Sequence, residues 1–241
     1  MRTSDILNFI MVSTLPGEVK ELFSLAARAR MPSGLKAALR QDPPVFIENM
    51  QRLLTAGGAV LGRPENEVLF ITGFNKNDTA PERFEAALAE LRAVLWLHQE
   101  GFTGITLLRQ SSGTGADLAG TLGNRNYIFE VRCIRTVAAG PLGYLFEKHE
   151  SPPEPEQRVI NYLRLKYEKK IRQVNSSRKK TGVNCGGVII VLAPAGLMPC
   201  PGAPALKKLA GALYLAKNSP PLTHIGLLAG PAGAVFPEWQ R

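Results

Sequence analysis

Tyr127-Ile128-Phe129-Glu130-Val131-Arg132-Cys133-Ile134 reads as an apolar strand with a carboxylate at its centre. A charge in that setting is costly unless it is paired or bound to a metal. Ala116-Asp117-Leu118-Ala119-Gly120 lies just upstream, and Gly123-Asn124-Arg125-Asn126 between the two runs has the composition of a turn. The pair therefore predicts a hairpin, with Asp117 at the start of one strand and Glu130 on the next. Carboxylates on adjacent antiparallel strands can converge on one ion, and hard oxygen ligands suit Mg²⁺ or Mn²⁺. The plainer alternative is that Glu130 faces solvent or pairs with Arg92 or Arg132.

Outward from the hairpin, Thr79 and Glu82 have capping-box spacing with Pro81 between them. A helix is expected from there to about Gln99, with Phe84, Leu88, Leu91, Leu95 and Trp96 facing inward and Gly101 ending it. Ile105 to Leu108 reads as a short strand and Ser111 to Gly115 as a loop. Residues 138–156 are rich in Gly, Pro and acids, which predicts a long loop. A polar helix is expected from about Glu156 to Lys180. Gly187 to Ala193 is a continuous apolar run, the mark of a strand buried on both faces. Ala205 to Lys217 reads as a helix, Thr223 to Ala229 as the last strand, and the remainder as a short tail. This order predicts a mixed α/β sandwich. Residues 1–78 read as a helical N-terminal extension, in which Phe46, Ile47, Met50, Leu53 and Leu54 form an amphipathic stripe ahead of Gly57-Gly58, and residues 79–241 as the α/β domain. Nothing in the extension carries evident chemistry.

Charge narrows the partners. The 241-residue chain has 29 Lys and Arg against 20 Asp and Glu, a net charge of +9, which favours a polyanion, most often nucleic acid. The excess is concentrated between 156 and 180, where Lys166, Lys169, Arg172, Arg178, Lys179 and Lys180 are candidate phosphate contacts. A merely solvated helix face is the alternative. Cys133, Cys185 and Cys200 lack CxxC spacing, so neither a zinc site nor a disulfide framework is indicated, and Cys133 and Cys185 read as buried thiols. His98, His149 and His224 share no metal-ligand spacing. Gly113-Thr114-Gly115 lacks the GKS/T signature of a phosphate loop, and Ser111 and Ser112 have no evident triad partners. No apolar run approaches the ~18 residues of a membrane span, and no secretory signal is evident, so the cytoplasm is the expected location.

Glu90 on the first helix, the strand after it, Asp117 opening the second strand and Glu130-Val131-Arg132 on the third together resemble the core of the PD-(D/E)xK nucleases. The Ser-Gly loop before Asp117 is similar to that of the archaeal Holliday-junction resolvases. The resemblance spans residues 82–230. It implies a restriction-endonuclease-like fold, a mixed central sheet flanked by helices. It also implies Asp117 and Glu130 as metal ligands with Glu90, or less well Glu85, beside them, and Mg²⁺ or Mn²⁺ as cofactor. Metal-dependent cleavage of nucleic acid, DNA being the expected polymer, is the implied activity, and a homodimer is compatible with cutting two strands. Two departures stand out. Ala116 replaces the proline, and Arg132 occupies the lysine position. Arginine can stabilise the transition-state phosphate, which keeps Arg132 among the implied catalytic residues, but it stays charged and is a poor proton shuttle. The family's later helix often carries a Lys and a Gln one turn apart, which implies Lys170 and Gln173 as catalytic residues here, with Lys170 replacing the missing lysine. Other readings remain: a nuclease-like protein that binds nucleic acid or protein without cutting, or an unrelated α/β interaction module.

Overall fold

The computed structural model describes the chain except residues 31–33, 76–80, 109–114, 136–141, 144, 146–150, 196–200, 217–222 and 241. In chain order the elements are helices α1 (Thr3–Val12), α2 (Gly17–Arg28), α3 (Gly34–Gln41), α4 (Pro43–Leu61) and α5 (Glu65–Val68), and a 3₁₀ turn (Phe70–Thr72). There follow α6 (Pro81–Gln99), strands β1 (Thr103–Leu107), β2 (Leu118–Leu122) and β3 (Arg125–Ile134), then α7 (Gln157–Thr181), β4 (Cys185–Leu192), α8 (Ala203–Leu215), β5 (Thr223–Ala229) and β6 (Ala232–Phe236). The strands form one mixed sheet in sequence order. β1, β2 and β3 are antiparallel, β3, β4 and β5 run parallel through the crossovers α7 and α8, and β6 returns antiparallel.

Alternation along β3 sorts the two faces. Tyr127, Phe129 and Val131 pack in a core with Ala89, Ala93, Val94, Trp96 and Leu97 of α6. Ile128 and Ile134 pack in another with Leu163, Tyr167 and Val174 of α7 and Leu206 and Leu209 of α8. Every residue of β4 and β5 is buried, as helices on both faces require. Trp96 lies so close to the sheet that a Cβ on Gly233 would be 2.3 Å from its Nε1, and one on Gly226 would be 2.8 Å from its ring.

The helical extension contributes a third core. Phe23, Phe46, Leu54 and Val68 pack against Phe84, Leu88 and Leu91 on the opposite side of α6. α6 is therefore covered on two sides, and its buried residues extend beyond the single stripe read from sequence. α4 does not stop at Gly57-Gly58 but runs to Leu61, ended by Gly62 at φ 61°. The two glycines instead permit close packing: a Cβ on Gly57 would meet Val68 Cγ1 at 3.0 Å, and one on Gly58 would meet the Arg63 carbonyl oxygen at 2.7 Å.

The C-terminal segment is not a tail, and β5 is not the last strand. Beyond β6, Trp239 packs against Trp96, Phe102, Tyr127 and Phe129, and its Nε1 donates to Glu100 Oε2 at 2.8 Å. The Tyr127 hydroxyl donates to the Gln240 carbonyl at 2.6 Å. Cys185 is buried as expected, but Cys133 is only half-buried. The proposed cap at Thr79, the loop at Ser111 to Thr114, His149, Cys200 and much of the 138–156 stretch lie outside the described residues.

Candidate functional site

Asp117 lies immediately before β2, and three hydrogen bonds fix it. Its N–H donates to the Phe129 carbonyl at 2.8 Å, and its carbonyl accepts from the Leu108 N–H at 2.8 Å. Its Oδ2 accepts from the Val131 N–H at 2.7 Å, which draws the carboxylate onto β3 beside Glu130. The preceding residue is tied to α7, because the Ala116 N–H donates to Ser177 Oγ at 2.9 Å. Leu118 pairs with Phe129, so continuing that register by one residue sets Asp117 opposite Glu130.

Glu130 is fully buried. Its Oε2 accepts from Lys170 Nζ at 2.5 Å, and the same ammonium lies 4.0 Å from Asp117 Oδ2. Its Oε1 is buried and has no hydrogen-bond partner among the described residues. Burial, reinforced by the nearby Asp117 charge, pushes the Glu130 carboxyl up to about 8, while the Lys170 ammonium opposes the shift. Glu90 on α6 belongs to the same group. Burial first, then the charges of Asp117 and Glu130, push its carboxyl up to about 8, again against Lys170.

Glu90, Asp117, Lys170 and Gln173 border one cleft of about 570 Å³, whose other wall includes Phe70, Ile71 and Arg83. Lys170 and Gln173 are one turn apart on α7 and both reach it. Glu85, the weaker candidate from sequence, is not part of this cleft's described lining; it is 1 % exposed and lies near Cys133, whose thiol is pushed up to about 12 by burial and then by the Glu85 charge. Neither arginine considered as a partner for Glu130 takes that place. Arg92 donates to the carbonyls of Pro194 and Gly230 at 3.0 and 3.4 Å, and Glu130 pairs with Lys170. Arg132 is half-buried, and its Nε is buried without a hydrogen-bond partner among the described residues.

On α7, Lys169, Arg172, Lys179 and Lys180 are exposed. Lys166 is half-buried with its ammonium 5.1 Å from the Tyr162 ring centre, and Arg178 donates to the Asn184 carbonyl. None of these six is among the cleft's described lining, to which α7 contributes Lys170 and Gln173; the helical period sets Lys166, Lys169 and Lys180 on the flank that also carries Gln173. The sequence reading missed Ser177, whose only signal was a small polar residue amid basic ones. It also missed the 70–74 segment, since nothing in a sequence of apolar and small residues says that it will wall a cleft.

A divalent ion is compatible with this site. Among the described residues, no three His, Cys, Asp or Glu side chains form a ready cage. Mg²⁺, however, is commonly held by one or two carboxylates with water and substrate phosphate completing its shell. Asp117 and the unpartnered Glu130 Oε1 offer such a pair. No described helix is long and apolar enough to cross a membrane. Comparison with protein-family models, curated proteins and solved structures gives no match.

Proposed function

We propose that this chain is a divalent-metal-dependent nuclease of the PD-(D/E)xK type with a restriction-endonuclease-like fold. The observation that carries this reading is the clustering of Asp117, Glu130, Glu90 and Lys170 from two strands and two helices, with Asp117, Glu90 and Lys170 bordering one cleft and Glu130 buried directly behind it against Lys170. Asp117 and Glu130 would hold Mg²⁺ or Mn²⁺, with Glu90 beside them. When bound, the ion would polarise the scissile phosphate and make a water acidic enough to attack at neutral pH. Lys170 takes the role that the family gives to the lysine two residues after the glutamate, so Arg132 at that position does not forbid catalysis. Its ammonium, held between the two carboxylates, is positioned to offset the negative charge that develops on the phosphate oxygens. Gln173, one turn along, borders the same cleft and would orient phosphate or water. In the overall reaction water adds to phosphorus, the bridging P–O bond breaks, and the departing oxygen takes a proton.

The partner in this reading is nucleic acid, with DNA as the expected polymer, and α7 supplies phosphate contacts through Lys166, Lys169, Arg172, Arg178, Lys179 and Lys180. A homodimer and a cytoplasmic location belong to the same proposal. The test is Mg²⁺-dependent cleavage of labelled oligonucleotides by wild type, Glu130→Gln and Lys170→Ala. Activity in wild type and loss in both variants is expected. Equal activity in Lys170→Ala would remove Lys170 from the mechanism, and a wild type inert with every metal and substrate would overturn the reading.

The short Lys170–Glu130 contact also favours a second reading, in which the ammonium permanently replaces the ion and the protein binds nucleic acid without cutting it. Metal titration separates the two. An ion bound by Asp117 and Glu130 beside Lys170 raises the melting temperature of wild type but not of Glu130→Gln, whereas a permanent ion pair that excludes the metal leaves both unchanged.

A further inference from the structure

The cleft does not end at the carboxylates. Ile71 and Leu107 also wall a second cavity of about 540 Å³, which runs on past Ile105 to Arg63 and Glu67. The two together make a groove between the helical extension and the edge strand β1. Its middle is apolar: Phe70, Ile71 and Leu107 face it, and the Phe70 ring is stacked on Phe74 at 6.1 Å between centres. Exposed Arg63 stands at the far end, with Glu67 in the same lining, and exposed Arg83 stands near the carboxylates.

A duplex turns sugars and phosphates outward and keeps its bases stacked inside, so an apolar wall has nothing apolar to meet. A single strand presents both surfaces at once. Its bases stack on aromatic rings while its phosphates meet cations. A groove with an aromatic and aliphatic middle, an arginine at each end and the Asp117 carboxylate cluster beyond Arg83 fits the second ligand and not the first.

We propose that this groove is the track of a single nucleic-acid strand, with a base stacked on Phe70 and the backbone led past Arg83 to Asp117 and Glu130. The assignment of the groove's end as the cutting point rests on the nuclease reading, but occupancy of the groove does not. Binding is therefore measured in EDTA, where metal-dependent cutting is blocked, by fluorescence anisotropy with an oligothymidylate and with a blunt duplex. Single-strand binding should exceed duplex binding by about tenfold, and Phe70→Ala should weaken only the single-strand term by about tenfold, one base stack. Phe70→Trp should retain it, which separates stacking from a packing defect. Photocrosslinking of a 5-iodouracil strand should map to the 70–74 segment. Equal affinity for duplex, or single-strand binding indifferent to Phe70→Ala, overturns the proposal. Cleavage in Mg²⁺ is scored separately. Single-strand binding without cleavage of any substrate leaves the groove and removes the nuclease reading, while preferential cutting of duplex does the reverse.

Discussion

Lys170 belongs to α7, while the glutamate it contacts belongs to β3, so the site exists only once the crossover has docked on the sheet. That separation decides how the titration behaves. Glu130 and Glu90 are both pushed up to about 8, chiefly by burial. Between the ordinary carboxyl range and about 8 the folded protein holds protons that the unfolded chain has released, so stability falls as pH rises through that window. Thermal melts across it should therefore show a steeper decline for wild type than for Glu130→Gln, which cannot ionise; parallel slopes would mean that Glu130 is not the buried acid described. Mg²⁺ competes with those protons, so its stabilisation should be larger above pH ~8 than below pH ~6. Arg132→Lys makes a complementary test. If Lys170 already supplies the catalytic ammonium, adding a lysine two residues after Glu130 should change cleavage by less than about tenfold, the worth of one modest interaction. A large gain would mean that Lys170 had not been supplying it.

At the level of single elements, α7 carries two roles on one cylinder. Its buried stripe, Leu163, Tyr167, Ile171 and Val174, anchors it to the sheet, and the helical period puts Lys166, Lys169 and Lys180 on the flank that carries Gln173. Each phosphate contact should contribute about 0.7–0.9 to the salt slope of binding. Replacing Lys169, Arg172 and Lys180 with Ala together should therefore flatten log Kd against log salt by about 2–3 if all three touch phosphate. An unchanged slope would make them solvated surface. α7, β4 and β5 were legible in sequence because their patterns are long: a polar helix with a repeating apolar stripe, and apolar runs buried on both sides. β6 was not legible, since Ala232-Gly233-Ala234 has little β-forming character. Its pairing with β5 and the slot that Gly233 leaves for Trp96 are tertiary facts. A methyl group there must displace the indole, so Gly233→Ala should cost about 1–3 kcal/mol, a fall in Tm of about 2–4 °C per kcal/mol. An unchanged Tm would show that Trp96 moves aside freely.

Across the whole molecule, the carboxylate pair could be found from sequence because a charge inside an apolar strand is conspicuous, and the strand spacing made a partner at Asp117 natural. The cleft's far wall could not be found, because Phe70 and Ile71 have no local pattern tying them to Glu130, and only packing of the extension on α6 brings them there. The extension was readable as helices yet not as part of the site. Its core is continuous with Phe84, Leu88 and Leu91, so residues 79–241 cut away from it would leave those three large side chains in water. At about 1.5–3 kcal/mol for each large apolar side chain left unburied, that loss is comparable with the whole stability of a typical domain, about 5–15 kcal/mol. A protein begun at residue 79 should therefore aggregate or melt well below the full chain, and dye binding should report exposed apolar surface. A soluble fragment with an unchanged, cooperative melt would show that the extension is a separable unit. If that fragment bound a single strand as tightly as the full chain, the groove wall at 70–74 would be dispensable as well. The expected result joins fold and function: the same contacts between α4 and α6 that bury Leu91 hold the aromatic wall opposite β1, so loosening them should weaken single-strand binding before it unfolds the sheet.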